Sequence, residues 1–272
     1  MTPTAELRGI QEVAVEIGDT PILLRTNDAA FQEIVLHRYA RFLGKGARPP
    51  LTFDVDIARP EGALSDEQEL RVWSDNGLWR FVRGDFRAEW DPRARRGHIL
   101  QTLTPYAIDS VLRIVHTLIQ ASEGGFLLHG ASAIRNGRAS LFSGVSGAGK
   151  TTISRLAPKD AVLLSDEISY IRRDGSGYRA CGTPFAGELG RPGENATAPV
   201  ERLYFLAKGP ENRMDPIETA DALRMLLRNI LFFADDAELV KMVFHSANEF
   251  LGRVPAFRLT FFPDERVWDL IG

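Results

Sequence analysis

The residues best suited to chemistry stand together near the middle of the chain, in Gly144-Val145-Ser146-Gly147-Ala148-Gly149-Lys150-Thr151. Every fixed position of G-x-x-x-x-G-K-[ST] is filled. Glycines let the backbone take conformations closed to residues with a Cβ, and they bring successive N–H groups close to a bound anion. A lysine at this position reaches the β- and γ-phosphates of a nucleotide, and the hydroxyl after it ligates Mg²⁺. Thr152 continues the pattern into the next element. The expected ligands are therefore ATP and Mg²⁺. The alternative is a glycine-rich turn with an unrelated lysine. The flanks argue against it: residues 139–142 read as a strand entering the loop, and residues 151–156 as a helix leaving it.

A second group follows. The apolar run at 161–164 delivers Asp166 and Glu167 at its end. One carboxylate there can hold Mg²⁺, and the other can take a proton from an attacking hydroxyl. Adjacent side chains on a strand point to opposite faces, so the two need not compete for one role. A solvated strand end is the competing reading. His129 interrupts another apolar run, 126–134, where a packed core histidine is the ordinary explanation. Leu-Ser-Gly-Gly and Asn-Lys-x-Asp, which would mark transporter-type ATPases and GTPases, are absent.

The elements that must position these groups can be read from periodicity. Residues 1–100 form a small β-rich module. In it, strands at 13–17 and 21–25 flank a turn, Asn27 is an N-cap candidate, and a helix runs through Phe31, Val35 and Tyr39 to Gly44. A strand at 51–57 alternates apolar and polar residues. A hairpin turns at Asn76-Gly77, and a strand follows at 86–90. The basic stretch 91–97 reads as a solvated loop. From residue 101 to 272 the pattern changes. An amphipathic helix is expected at 106–121, a hairpin through Asn136-Gly137, and a strand pair around residues 174–177. A Gly/Pro-rich functional or mobile loop is expected at 182–195 and a strand at 200–207. Helices at 217–233 and 236–251 and strands at 256–262 and 266–271 complete the chain.

Composition narrows the setting. The 272 residues are 44% hydrophobic and 25% charged, as in ordinary globular proteins. A net charge of −3 gives no electrostatic footprint for nucleic acid. The single cysteine, Cys181, can form no internal disulfide, which fits a reducing compartment. The first residues lack a signal-peptide pattern and no apolar run is long enough to span a bilayer, so a cytoplasmic protein with no membrane partner is expected.

Four local features together resemble the HPr kinase/phosphorylase family and its shorter HPr-kinase-like relatives, which share a P-loop core with ATP-dependent phosphoenolpyruvate carboxykinase. They are His129-Gly130 before the loop, the loop from Gly144 to Thr152, the pair Asp166-Glu167, and Gly182-Thr183-Pro184-Phe185-Ala186-Gly187-Glu188 followed by Ala198-Pro199. The resemblance implies an α/β fold, with a P-loop kinase core of HPr-kinase/carboxykinase type over 101–272. It places His129 near the transferred phosphoryl, Lys150 on it, and Thr151, Asp166 and Glu188 at the metal. Glu167 becomes the proton acceptor where the family usually has Asp. The family's Arg-Gly-x-Gly signature is absent. The expected reaction moves the γ-phosphoryl of ATP to a hydroxyl, most directly a serine of a peptide or protein, and the resemblance also implies a homo-oligomer. Two alternatives stay open: a kinase of small hydroxylated metabolites, and a nucleotide-gated binding module without transfer.

Overall fold

Turn chemistry sets the strand pairings of the first part of the chain. Strands β1 (Gln11–Ile17) and β2 (Thr20–Thr26) meet through Gly18 and Asp19, both at φ 60°. That is the left-handed pair a tight hairpin with the native strand twist requires. The structure, a computed structural model, describes residues 9–44, 51–58 and 69–272. It is a mixed α/β architecture with two sheets and, among the described residues, six α-helices. The chain divides into two compact units. One runs to Arg113 and includes Phe233–Asp235; the other holds Ile114–Phe232 and Asp236–Gly272.

In the first unit, α1 (Ala29–Arg38) is capped by Asp28, whose carboxylate accepts from the Phe31 amide at 2.8 Å. The cap is thus one residue later than the Asn27 expected. A single 3₁₀ turn at Ala40–Phe42 follows, so Gly44 is not the helix terminator. Strands β3 (Leu51–Ile57), β4 (Arg71–Asp75), β5 (Leu78–Arg83), β6 (Phe86–Asp91) and β7 (Arg96–Gln101) complete a seven-stranded sheet in the order β1-β2-β3-β7-β6-β5-β4. The expected basic loop is the turn at residues 92–95 between β6 and β7, shorter at each end than 91–97, and β7 begins at Arg96. Its alternation supports a strand once paired: Ile99 and Gln101 are buried while His98 faces out. Helix α2 (Pro105–Glu123) begins with proline at its first position, where a missing N–H costs nothing. The expected amphipathic pattern is too simple here, because Asp109, His116, Thr117 and Gln120 are all buried with the apolar residues.

The second unit is a sheet centred on the long strand β8 (Phe126–Arg135). Asn136 and Gly137, at φ 51° and 75°, turn it back into β9 (Arg138–Ser143). Then follow α3 (Lys150–Arg155), β10 (Val162–Ser165), β11 (Ile168–Asp174), β12 (Gly177–Cys181), β13 (Thr197–Lys208), β14 (Arg213–Pro216), α4 (Thr219–Leu227), α5 (Ala237–Leu251), β15 (Ala256–Phe261) and α6 (Val267–Ile271). β9 runs antiparallel to β8 and parallel to β13. The core beneath the loop gathers Phe142, Ile153, Tyr204, Leu259, Phe261 and Trp268.

Several local expectations are corrected. The terminal segment is helical, not a strand: Val267, Trp268 and Ile271 are buried on one side, and the Trp268 indole donates to the Ile153 carbonyl at 3.2 Å. Helix α4 stops at Leu227, and the chain then runs beside β8. There the His129 amide donates to Asn229 O (2.7 Å) and the Leu231 amide to Leu127 O (2.8 Å). A strand side that would otherwise carry unpaired amides takes precedence over helix continuation. β10 is an edge strand with Val162 exposed, not a buried one. The described residues contain no helix long and apolar enough to cross a membrane.

Candidate functional site

The loop between β9 and α3 is shaped by close approaches. Gly149 sits at φ 115°, and a Cβ there would lie 2.6 Å from the Phe261 ring. Ala148 tucks into the core and donates its amide to Val145 O at 3.1 Å. The amides of Ser146, Gly147, Gly149, Lys150 and Thr151 have no acceptor among the described residues. Loop amides left open in this way can donate hydrogen bonds to an anion. The Lys150 ammonium donates to the carbonyls of Gly144 (3.0 Å) and Val145 (3.3 Å). Burial lowers its pKa, and the charges of Glu167 and Glu188 act in the opposite sense.

Ser165 ends β10, and Asp166 and Glu167 form the short connection to β11. The two carboxylates are therefore carried by a bend, not by a strand with alternating faces. The Ser165 hydroxyl accepts from the amides of Glu167 (3.1 Å) and Ile168 (2.9 Å) and holds the bend. Asp166 is buried, and its two oxygens accept from the amides of Gly187 and Leu189, each at 2.9 Å. Glu188, between those amides, accepts from the Thr151 hydroxyl at 2.9 Å. Asp166, expected at the metal, thus engages the loop that presents Glu188. Gly187 allows the approach, since a Cβ there would lie 2.8 Å from an Asp166 oxygen.

The loop at 182–195, expected to be functional or mobile, is tied along its length. The Thr183 amide donates to Leu164 O (3.0 Å), the Gly193 amide to Thr183 O (3.0 Å) and the Glu194 amide to Leu163 O (2.9 Å), while Phe185 is fully buried.

His129 pairs in register with Ile168 on β11, and the next amide, Gly130, donates to Glu167 O at 2.8 Å. The half-buried ring is held below the usual histidine range, first by desolvation and then by the Lys150 charge; a hydrogen bond to the Glu167 main chain partly offsets both. It is neutral near pH 7.

These groups open onto one cavity of about 630 Å³. Ser146, Gly147, Gly149, Lys150, Thr151 and Thr152 line it from the loop side. His129, Asp166, Glu167 and Glu188 line it from the β8 side. Gly144, Val145 and Ala148, named with the loop from the sequence, do not line it: Val145 is 75% exposed and Ala148 is in the core. Two lining cations escaped sequence reading, Arg155 and Lys208. Arg155 follows Thr151 by one helical turn, a spacing that could have flagged it. Lys208 has no sequence signal; the parallel register of β13 with β9 brings it to the loop.

The Thr151 hydroxyl and Glu188 carboxylate are hard oxygen donors of the kind Mg²⁺ takes. No cluster of three or more His, Cys, Asp or Glu side chains suited to a metal occurs among the described residues. A few protein oxygens, with phosphate and water completing the shell, is the usual arrangement for Mg²⁺.

The profile of SynChlorMet cassette protein ScmC matches residues 100–272, well over half the chain. The chain belongs to the ScmC family. The match covers every residue of the cavity. No curated protein matches this ScmC-family chain. Among solved structures, the Hpr(Ser) kinase/phosphatase from Coxiella burnetii is 12% identical, covering 53% of this chain and 85% of that one, at a TM-score of 0.31. A likeness at that level carries no argument about activity.

Proposed function

We propose that the second unit is a P-loop kinase core that binds Mg·ATP on the loop Gly144–Thr151 and transfers the γ-phosphoryl to a hydroxyl, with a serine of a peptide or protein as the acceptor class. One observation carries the reading: a loop with open amides and a desolvated lysine shares a cavity with Glu167 and with the Thr151–Glu188 oxygen pair. Lys150 and the loop amides bind the phosphates and offset charge that builds on them in the transition state. Thr151 and Glu188 would hold Mg²⁺, whose charge supports phosphate binding when it is present. Asp166 anchors the Glu188 loop through the amides of Gly187 and Leu189.

Glu167 takes the proton of the acceptor hydroxyl as its oxygen attacks the γ-phosphorus. The bond from that phosphorus to the β-phosphate oxygen breaks, and ADP leaves with the electron pair. The neutral His129 ring stands at the same rim, where it can hydrogen-bond a phosphoryl oxygen without adding a second full charge beside Lys150.

The test is label transfer. Pure protein with Mg²⁺ and γ-labelled ATP is presented with serine-bearing peptides and with a panel of hydroxylated metabolites. Transfer to an acceptor oxygen, falling at least about 100-fold in Glu167→Gln while ATP binding persists, is the expected result. Label on a metabolite instead of a peptide would change the acceptor class. Binding without transfer to any acceptor would replace the kinase by a nucleotide-gated binding module.

A further inference from the structure

The cavity holds more positive charge than the loop motif accounts for. Lys150 is engaged by loop carbonyls, Asp166 by amides and Glu188 by Thr151. Arg155 and Lys208 are exposed, and neither has a hydrogen-bond or ion-pair partner among the described residues. Two unpartnered cations facing a common concavity are matched to an anion from outside the chain.

Topology separates Lys208 from His129, Asp166 and Glu167. β9, which feeds the loop, has β8 on one side and β13 on the other. Because β8 is antiparallel, Gly130 stands opposite Ser143 at the loop's start, and with it come His129 and Glu167. Because β13 is parallel, Phe205 stands opposite Ser143 from the other side, and Lys208 follows three residues later. Arg155 lies one turn beyond Thr151 on α3, away from the loop's first residues. A proton acceptor must lie within reach of the hydroxyl that attacks the terminal phosphorus. The terminal phosphate therefore belongs on the β8 side, and the rest of the nucleotide extends toward β13.

We infer that Arg155 and Lys208 hold the nucleoside-proximal phosphate of the bound nucleotide, so that it lies with its γ-phosphate toward Glu167 and its nucleoside toward β13. This assignment rests on the proposed reading of the cavity as a nucleotide site. It gives the pocket a direction: acids and His129 serve the reacting end, and the two free cations serve the anchored end. It also identifies the ligand class the anchored end recognises, a nucleoside di- or triphosphate and not inorganic phosphate alone.

Calorimetric titration of the full chain with Mg·ATP and with Mg·ADP tests it, using wild type, Lys150→Ala, Arg155→Gln, Lys208→Gln and the double variant. Both cations are exposed, so the thermal midpoints of their variants should match wild type. Each single substitution is expected to weaken ATP and ADP by similar factors of about tenfold, and the double variant by more. Loss of ATP affinity with ADP affinity unchanged would put the cations at the γ-phosphate and overturn the orientation. Unchanged affinity for both nucleotides, in a protein whose binding still depends on Lys150, would overturn the inference while leaving the nucleotide reading intact. Absence of binding in wild type would overturn both.

Discussion

The Asp109 cluster in the first unit and the loop at Gly144–Thr151 in the second both gather charged and polar groups, yet those groups are satisfied differently. Asp109 is 3% exposed and accepts from Arg38 at 2.5 Å and from the Tyr39 hydroxyl at 2.6 Å. Burial works against the Arg38 charge, but the hydrogen bond and charge of Asp109 outweigh it and raise the arginine pKa. Desolvation, reinforced by Asp109, pushes the Tyr39 hydroxyl well above its ordinary value. The cluster is closed, with each charge answered inside the protein. At the loop, by contrast, five amides and the side chains of Arg155 and Lys208 have no acceptor among the described residues. The first arrangement serves the fold. The second leaves its donors open, which is what the proposed anion site requires.

The closed cluster depends most on Asp109. Asp109→Ala should cost about 3–5 kcal/mol in urea unfolding, because it leaves the Arg38 guanidinium and the buried Tyr39 hydroxyl without their acceptor. A loss below about 1 kcal/mol would mean that the closed cluster contributes no more than an exposed pair. A graded effect, spread over the acid range and small near neutral pH, should come from His116, which is fully buried with neither ring nitrogen hydrogen-bonded among the described residues. Desolvation holds its pKa down to about 3. Its unfolded form takes up a proton below roughly 6.5, whereas the folded form stays neutral until about pH 3. Stability from this group is thus fully present above pH 6.5 and is lost as pH falls, by about 1.4 kcal/mol per unit at most. His116→Leu should flatten that part of the pH–stability curve in chemical denaturation; an unchanged slope would show that His116 is not the group titrating.

Much of the local structure around the candidate site was legible because its local rules are strong. The glycine-rich loop sits between a strand and a helix whose limits fall within a residue or two of those expected, and the Asn136-Gly137 turn that supplies β9 is a direct hairpin signal. Asp166 and Glu167 were found by type and spacing, but the contact that sends Asp166 to the Gly187 and Leu189 amides depends on how the later loop folds back. Lys208 was invisible because only the parallel pairing of β13 with β9 makes it a neighbour of the loop. The end of α4 was misplaced because residues 229–231 complete the hydrogen bonding of β8, a tertiary demand that local helical spacing cannot reveal. In α6, five residues are too few for period 2 and period 3.6 to be told apart.

A nucleotide site built around Lys150 at the open loop is read by calorimetric titration of Mg·ATP into wild type and Lys150→Ala. Wild type should bind with a dissociation constant of roughly 1 μM to 1 mM, and the variant at least about tenfold more weakly. Without nucleotide, the variant should be as stable as wild type or slightly more so, because burial opposes the Lys150 charge. Equal binding by both proteins, or no binding by wild type, would mean that the loop is not a nucleotide site built around Lys150.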